Sequence, residues 1–159
     1  MSKYSTFFTI SLLLSLLFSN PVFSADCADV NGATATISSD CSGRLGVTGD
    51  SSSITINSGV TISGQTSNDR YAIETTNGTN TIITNNGNIG PTNLERYGIF
   101  HNTGSGTITK IDNKGTIEVN ETGSGGVGTA IFNKSTIDLI ENSGTIKSNT
   151  RNAIANGSG

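Results

Sequence analysis

The chain has 159 residues, a formal net charge of -3 and only 13% charged residues. A weakly charged, slightly acidic chain lacks the basic face that nucleic acid or an anionic membrane surface requires of a partner. It holds 20 glycines, two prolines, two cysteines and no tryptophan, and its Ile and Val recur at regular places, which separates it from disordered chains.

The first element is a targeting segment. Lys3 gives a small positive start, Phe7 through Phe18 is an unbroken run of apolar and hydroxyl residues, and Asn20-Pro21 ends it. Val22-Phe23-Ser24 places small or β-branched residues where a signal peptidase reads them, so cleavage is expected after Ser24, with Ala25 as the next candidate. The run is too short for a membrane span, which needs about 20 apolar residues. Residues 1–24 therefore read as a cleaved secretory signal.

Residues 25–50 follow, with apolar positions at Val30, Ile37, Leu45 and Val47 that do not match the pattern further on. The segment reads as an N-terminal cap, since the end units of repeat proteins are atypical. Cys27 and Cys41 lie within it, and a close pair in an exported chain reads as a disulfide. Closing a loop of about 15 residues would contribute roughly 3 kcal/mol on the chain-entropy model. A metal site is excluded by the lack of further cysteines and by His101 being the one histidine.

From Ser51 to Gly159 the chain repeats itself. Ile83-Thr84-Asn85-Asn86-Gly87-Asn88-Ile89, Ile111-Asp112-Asn113-Lys114-Gly115-Thr116-Ile117 and Ile140-Glu141-Asn142-Ser143-Gly144-Thr145-Ile146 are copies of one unit. A looser copy spans Ile56 to Ile62, so the leading isoleucines stand at 56, 83, 111 and 140, steps of 27, 28 and 29 residues. Each Asn/Gly centre reads as a turn between two short strands. A third strand carries a small residue before isoleucine: Tyr71-Ala72-Ile73, Tyr97-Gly98-Ile99-Phe100, Thr129-Ala130-Ile131-Phe132 and Asn152-Ala153-Ile154. The spacer before it varies most, and Glu118–Gly128 reads as a loop tolerant of insertion.

No apolar stripe of helical period follows the signal, and Thr, Asn and Gly are poor helix formers. The expectation is an all-β solenoid of about 28 residues per coil, with parallel strands stacked about 4.8 Å apart and isoleucine buried on isoleucine. Asn85, Asn113 and Asn142 then fall in one column, where their amides can bond from coil to coil as a ladder. The alternative is that they are turn asparagines facing water. Asn152 to Gly157 opens a fresh repeat without a capping sequence, which reads as the front portion of a longer protein with an open, association-prone strand edge.

Several motifs invite chemistry. Gly49-Asp50-Ser51-Ser52-Ser53 is similar to a serine-protease nucleophile loop, but Ser52 replaces its glycine and His101 follows rather than precedes it. Gly123-Ser124-Gly125-Gly126-Val127-Gly128 matches a dinucleotide fingerprint in letters only, since a strand pattern rather than a helix follows. Asp112 and Glu141 share a column, at a spacing near the roughly 5 Å of a retaining glycosidase, though Lys110 and Lys114 beside them suggest a solvated face. Glu118 and Lys147 match as an exposed pair worth well under about 1 kcal/mol. Thr79-x-Thr81 and Thr107-x-Thr109 align like an ice-binding array that Thr136-x-Asp138 interrupts. No catalytic residue, cofactor or metal is indicated.

The Asn-x-Gly-Thr-Ile and Ala-Ile-x-Asn units, after a signal peptide and a cysteine-paired cap, resemble the passenger domains of bacterial autotransporters. That resemblance implies a right-handed parallel β-helix exported through the inner-membrane secretion machinery of a Gram-negative cell. It also implies passage through an outer-membrane translocator barrel, which this sequence lacks, and display at the cell surface, where virulence and adhesion to a host or neighbouring-cell ligand belong. Two-partner secretion is the other route. The expected function is a structural or adhesive stalk rather than an enzyme; the alternatives are a polysaccharide-acting β-helix and a surface- or ice-binding protein.

Overall fold

The computed structural model describes residues 27–64, 71–90, 97–102, 104, 106–120 and 128–157, so the leader read over residues 1–24 lies outside them. In chain order the strands begin with β1 (Val30–Asn31), β2 (Thr34–Ile37), β3 (Leu45–Thr48), β4 (Ser53–Ile56) and β5 (Thr61–Ile62). Then come β6 (Tyr71–Thr76), β7 (Thr81–Asn85), β8 (Asn88–Ile89), β9 (Tyr97–His101), β10 (Thr107–Asn113) and β11 (Thr116–Val119). The last are β12 (Thr129–Asn133), β13 (Thr136–Ile137), β14 (Ile140–Asn142), β15 (Thr145–Ser148) and β16 (Ile154–Asn156). No helix occurs among the described residues.

The strand pairs are parallel and form three sheets. One runs β1-β3-β6-β9-β12-β16, the second β13-β10-β7-β4-β2 with β14 also on β10, and the third β15-β11-β8-β5. From β3 onward the chain visits the three sheets in rotation. β-branched residues at alternate positions suit this, because a stiff side chain packs well against its like on a pleated surface.

Three apolar columns result. In the first sheet Leu45, Ile73, Ile99, Ile131 and Ile154 face one another in register. In the second the column is Ala35, Ile54, Ile83, Ile111 and Ile140. In the third it is Ile62, Ile89, Ile117 and Ile146, with Cys41 bridged to Ile62. The middle members are 0% exposed, whereas Ile154 at the end of its column is 44% exposed. Each fully buried isoleucine contributes roughly 1.5–3 kcal/mol of transfer free energy.

The register corrects one alignment made from the sequence. Ile56 pairs with Asn85, and it is Ile54 that faces Ile83. The trailing isoleucines do align, Ile62 on Ile89. The turn Asn57–Val60 is two residues longer than Asn86–Gly87, and Gly59 at φ 80 with buried Val60 absorbs the excess. The threonine array is corrected as well. Thr81 faces Ile108, a register shift follows between Ile108 and Lys110, and Thr81 is 2% exposed, so Thr79-x-Thr81 and Thr107-x-Thr109 form no common face.

Residues 27–50 supply β1 and β2, the outermost strands at one end of two sheets. Their carboxylates satisfy edge amides: Asp29 Oδ1 accepts from Gly46 N at 2.8 Å and Asp40 Oδ1 from Thr61 N at 2.7 Å. Cys27 and Cys41 are bonded, with Cα atoms 5.3 Å apart, and Cys41 sits in the core. The turn glycines exist for close approach. A Cβ on Gly115 would run into the Gly87 carbonyl, and one on Gly144 into the Gly115 carbonyl.

Ile111→Ala removes a fully buried side chain from a packed column and is expected to lower stability by about 2–5 kcal/mol. Ile82→Ala, at a position 37% exposed, and Asp112→Ala, in a surface ion pair, are each expected to cost under about 1 kcal/mol. Urea melts of the three variants measure this; equal losses at Ile111 and Asp112 would show the inward and outward faces to be reversed.

Candidate functional site

Asn85, Asn113 and Asn142 stand in one register column at the turn between the second and third sheets. Asn85 Nδ2 donates to Asn113 Oδ1 at 2.7 Å and to the Thr116 carbonyl at 3.1 Å. Asn113 Nδ2 repeats the pattern toward Asn142 Oδ1 at 2.7 Å and the Thr145 carbonyl at 3.0 Å. Asn85 Oδ1 also accepts from Gly87 N at 3.2 Å, which pins the turn. Asn85 and Asn113 are 0% exposed, so these amides lie where an unpaired polar group would be costly.

A second polar column, not anticipated from the sequence, occupies the first sheet: Thr75, His101, Asn133 and Asn156. Asn133 Nδ2 donates to the Ser135 carbonyl at 3.0 Å and to Asn156 Oδ1 at 3.2 Å, while Ser135 N donates to Asn133 Oδ1. His101 is 1% exposed, with Nε2 at 3.3 Å from the Gly106 carbonyl and Nδ1 at 2.6 Å from Thr75 Oγ1. A carbonyl can only accept, so Nε2 carries the proton and Nδ1 accepts from the threonine hydroxyl. Burial holds the imidazole below its ordinary value, against carbonyl contacts that raise it. This histidine is a structural member of the column. The signal for it was the Ile-Phe-Asn and Ile-Ala-Asn ending of the last two strands, hidden because Thr75 and His101 fill the earlier positions.

On the outward side of the same sheet Tyr71, Tyr97, Phe100 and Phe132 stack. Tyr71 and Phe100 have centroids 4.4 Å apart, Tyr97 and Phe132 4.6 Å, with planes within 23° of parallel. Lys134 Nζ lies 6.0 Å from the Phe100 centroid, and Glu74 next in the Phe100 column pairs with Arg44 and accepts from Asn102 Nδ2 at 3.2 Å. Facing rings cover one another, so the group forms an apolar rib flanked by charge rather than an open platform.

The second sheet carries Thr36, Thr55, Thr84, Asp112 and Glu141 in one outward column. Lys110 Nζ is 2.7 Å from Glu141 Oε2 and 3.9 Å from Asp112 Oδ2, and Lys114 Nζ is 3.1 Å from Asp112 Oδ2. Two carboxylates bridged by ammonium groups form a surface ion network. On the third sheet Lys147 Nζ meets Glu118 Oε1 at 2.9 Å, which with Asn120 holds the Glu118 carboxyl below its usual range.

Ser51, at the nucleophile position of the protease-like run, is an exposed turn residue at φ 59 whose N–H donates to the Thr79 carbonyl at 2.7 Å, and Ser52, in the place of the motif's glycine, is 0% exposed. The Ser52 hydroxyl donates to the Thr48 carbonyl at 2.6 Å and accepts from Gly32 N at 3.0 Å, which pins the turn, while His101, the base the motif would need, is buried against Thr75 and the Gly106 carbonyl. Asp50 Oδ1 accepts from both Thr79 N and Thr79 Oγ1, which lowers its carboxyl and ties two turns together. The glycine run 123–127 lies outside the described residues; Gly128 leads into strand β12. Among the described residues no group of three or more His, Cys, Asp or Glu is placed to hold a metal. Comparison with protein families, curated proteins and solved structures gave no match.

Two outcomes follow from these columns. Asn113→Ala is expected to cost about 1–3 kcal/mol, because it takes the Oδ1 acceptor from the fully buried Asn85 amide and leaves a gap in the ladder, and Asn142→Ala, at an exposed position, less. Since the folded His101 titrates below its ordinary 6.5, the unfolded chain takes up the proton first. Its contribution is complete above that value and is lost as pH falls beneath it. Thermal midpoints between about pH 7.5 and 5 are expected to decline in the parent chain and to flatten in His101→Asn, which keeps a polar group in the column.

Proposed function

We propose that this chain is a right-handed parallel β-helix, exported and displayed at a bacterial surface as a structural or adhesive stalk of the autotransporter passenger kind. The observation that carries the reading is the in-register pairing of each repeat with the next in all three sheets. A chain that rotates through three parallel sheets and stacks like on like is the geometry of a solenoid, and parallel crossovers are right-handed in about 98% of cases. Such a rod can assemble from one end as it emerges from a membrane, because every contact is to the neighbouring repeat.

Surface display is supported by the leader pattern and by a cysteine pair, which belongs to an oxidising compartment. The adhesive part of the reading rests on the half-buried Tyr71, Tyr97 and Phe132 of the aromatic rib, which stack over one another and the buried Phe100, and on Lys134 beside them. A polysaccharide-acting enzyme draws no support from the second sheet, where lysines occupy both carboxylates.

The test is expression of the chain, leader included, ahead of an outer-membrane translocator barrel in a Gram-negative host. The expected outcome is removal of residues 1–24 by intact mass, a bonded Cys27–Cys41 pair on reductive alkylation, and sensitivity to external protease. An uncleaved leader with free thiols in the cytoplasm overturns the reading.

A further inference from the structure

Asparagine is followed by glycine four times in the chain, at Asn31-Gly32, Asn77-Gly78, Asn86-Gly87 and Asn156-Gly157. The pair is chemically labile, because the next backbone nitrogen can attack the side-chain amide and glycine puts no Cβ in the way. Three of the four are held by the fold. Gly32 N donates to the Thr48 carbonyl at 2.9 Å and to Ser52 Oγ at 3.0 Å. Gly87 N donates to Asn85 Oδ1 at 3.2 Å, and Asn86 Nδ2 donates to the Ile56 carbonyl at 3.2 Å. Gly157 N donates to the Asn133 carbonyl at 2.8 Å, and Asn156 Oδ1 accepts from Asn133 Nδ2 at 3.2 Å.

The fourth pair opens the turn 77–80 between β6 and β7 and is held differently. Before it, the Thr75 carbonyl accepts from Asn102 N at 3.1 Å. After it, the Gly78 carbonyl accepts from Thr107 N at 2.9 Å, and Thr79 N donates to Asp50 Oδ1 at 2.9 Å. Between these anchors the Asn77–Gly78 peptide makes no hydrogen bond among the described residues. Asn77 itself is exposed and sits at φ 55, in the left-handed region. The peptide is free to turn over, since glycine adopts either sign of φ, and turning carries the Gly78 nitrogen toward the Asn77 side chain.

We propose that Asn77 is the site at which the folded chain deamidates, and that the fold shields Asn31, Asn86 and Asn156. The Gly78 nitrogen gives its proton to solvent and bonds to Asn77 Cγ, closing a succinimide ring. The Cγ–Nδ2 bond breaks, and that nitrogen takes up a proton and leaves as ammonia. Water then opens the ring at one carbonyl or the other, giving aspartate or isoaspartate. Either product adds a carboxylate close to the tie in which Asp50 Oδ1 accepts from Thr79 N and Thr79 Oγ1. Isoaspartate also lengthens the main chain there by a methylene, which draws Thr79 away from Asp50.

The experiment is storage of the folded chain in mildly alkaline buffer, followed by proteolysis and mass spectrometry, with electron-transfer fragmentation to separate aspartate from isoaspartate. Position 77 is expected to convert at least about tenfold faster than 31, 86 or 156, because a bonded N–H must first leave its acceptor. In concentrated urea the four positions are expected to convert at similar rates. The Thr79 amide of the aged chain should exchange faster than that of the fresh chain. Conversion at 77 no faster than at the other three in the folded chain overturns the assignment. So does the same ranking in urea, because the order would then come from sequence neighbours rather than from the hydrogen bonds of the fold.

Discussion

Everything in this molecule depends on one constraint: a residue must tolerate a residue of its own kind directly above and below it. Parallel in-register pairing places equivalent side chains about 4.8 Å apart, close enough that unlike shapes leave gaps and like charges repel. Isoleucine meets this by nesting on isoleucine in three columns. Asparagine meets it differently, because an amide carries a donor and an acceptor and can bond to a copy of itself indefinitely. Glycine meets it where the turns converge until no Cβ fits, as Gly87, Gly115 and Gly144 do. These three solutions account for the composition of the stacked columns: apolar positions filled mainly by isoleucine, with asparagine and glycine at the turns and little charge.

Much of this was legible in the sequence because register depends on spacing. Ile62, Ile89, Ile117 and Ile146 were readable as a column, and so were Ile73, Ile99, Ile131 and Ile154, since each lies at a fixed distance from a recognisable turn or small residue. Ile56 misled for a physical reason. Ile54 and Ile56 both point inward on β4, and only the length of the turn behind them decides which meets Ile83. A turn longer by two residues conserves the facing of every side chain, because the strand period is two. Hydrophobic pattern therefore cannot detect it. The shift between Ile108 and Lys110 is of another kind: it is one residue, interrupts the alternation along β10, and takes the paired threonines, alike in letters, out of one plane.

The second polar column shows a different limit. Its four members are of three residue types, Thr75, His101, Asn133 and Asn156, and no repeat search equates a histidine with an asparagine. They are equivalent only in what the corner needs, a side chain able to bond along the column or back to a nearby turn. Thr75 gives its hydroxyl hydrogen to His101, His101 gives its proton to the Gly106 carbonyl, and Asn133 donates toward Asn156. The site's aromatic rib was likewise spelled out in Tyr71, Tyr97, Phe100 and Phe132. What sequence could not supply was that Tyr71 and Tyr97 at strand starts and the phenylalanines three residues on converge on one outer face.

Freedom in this architecture lies outside the columns. The outward row Thr36, Thr55, Thr84, Asp112, Glu141 changes character from strand to strand across the second sheet with no consequence for the isoleucines behind it. Adjacent carboxylates on Asp112 and Glu141 break the like-on-like rule, and the break is absorbed locally, by Lys110 reaching both and Lys114 reaching one. At the surface such repulsion is screened and small. Inside the columns the same juxtaposition would be intolerable. Specificity for any partner is therefore free to be written on the outer faces and loops, one repeat at a time, while the inward residues are held to a short alphabet by their neighbours.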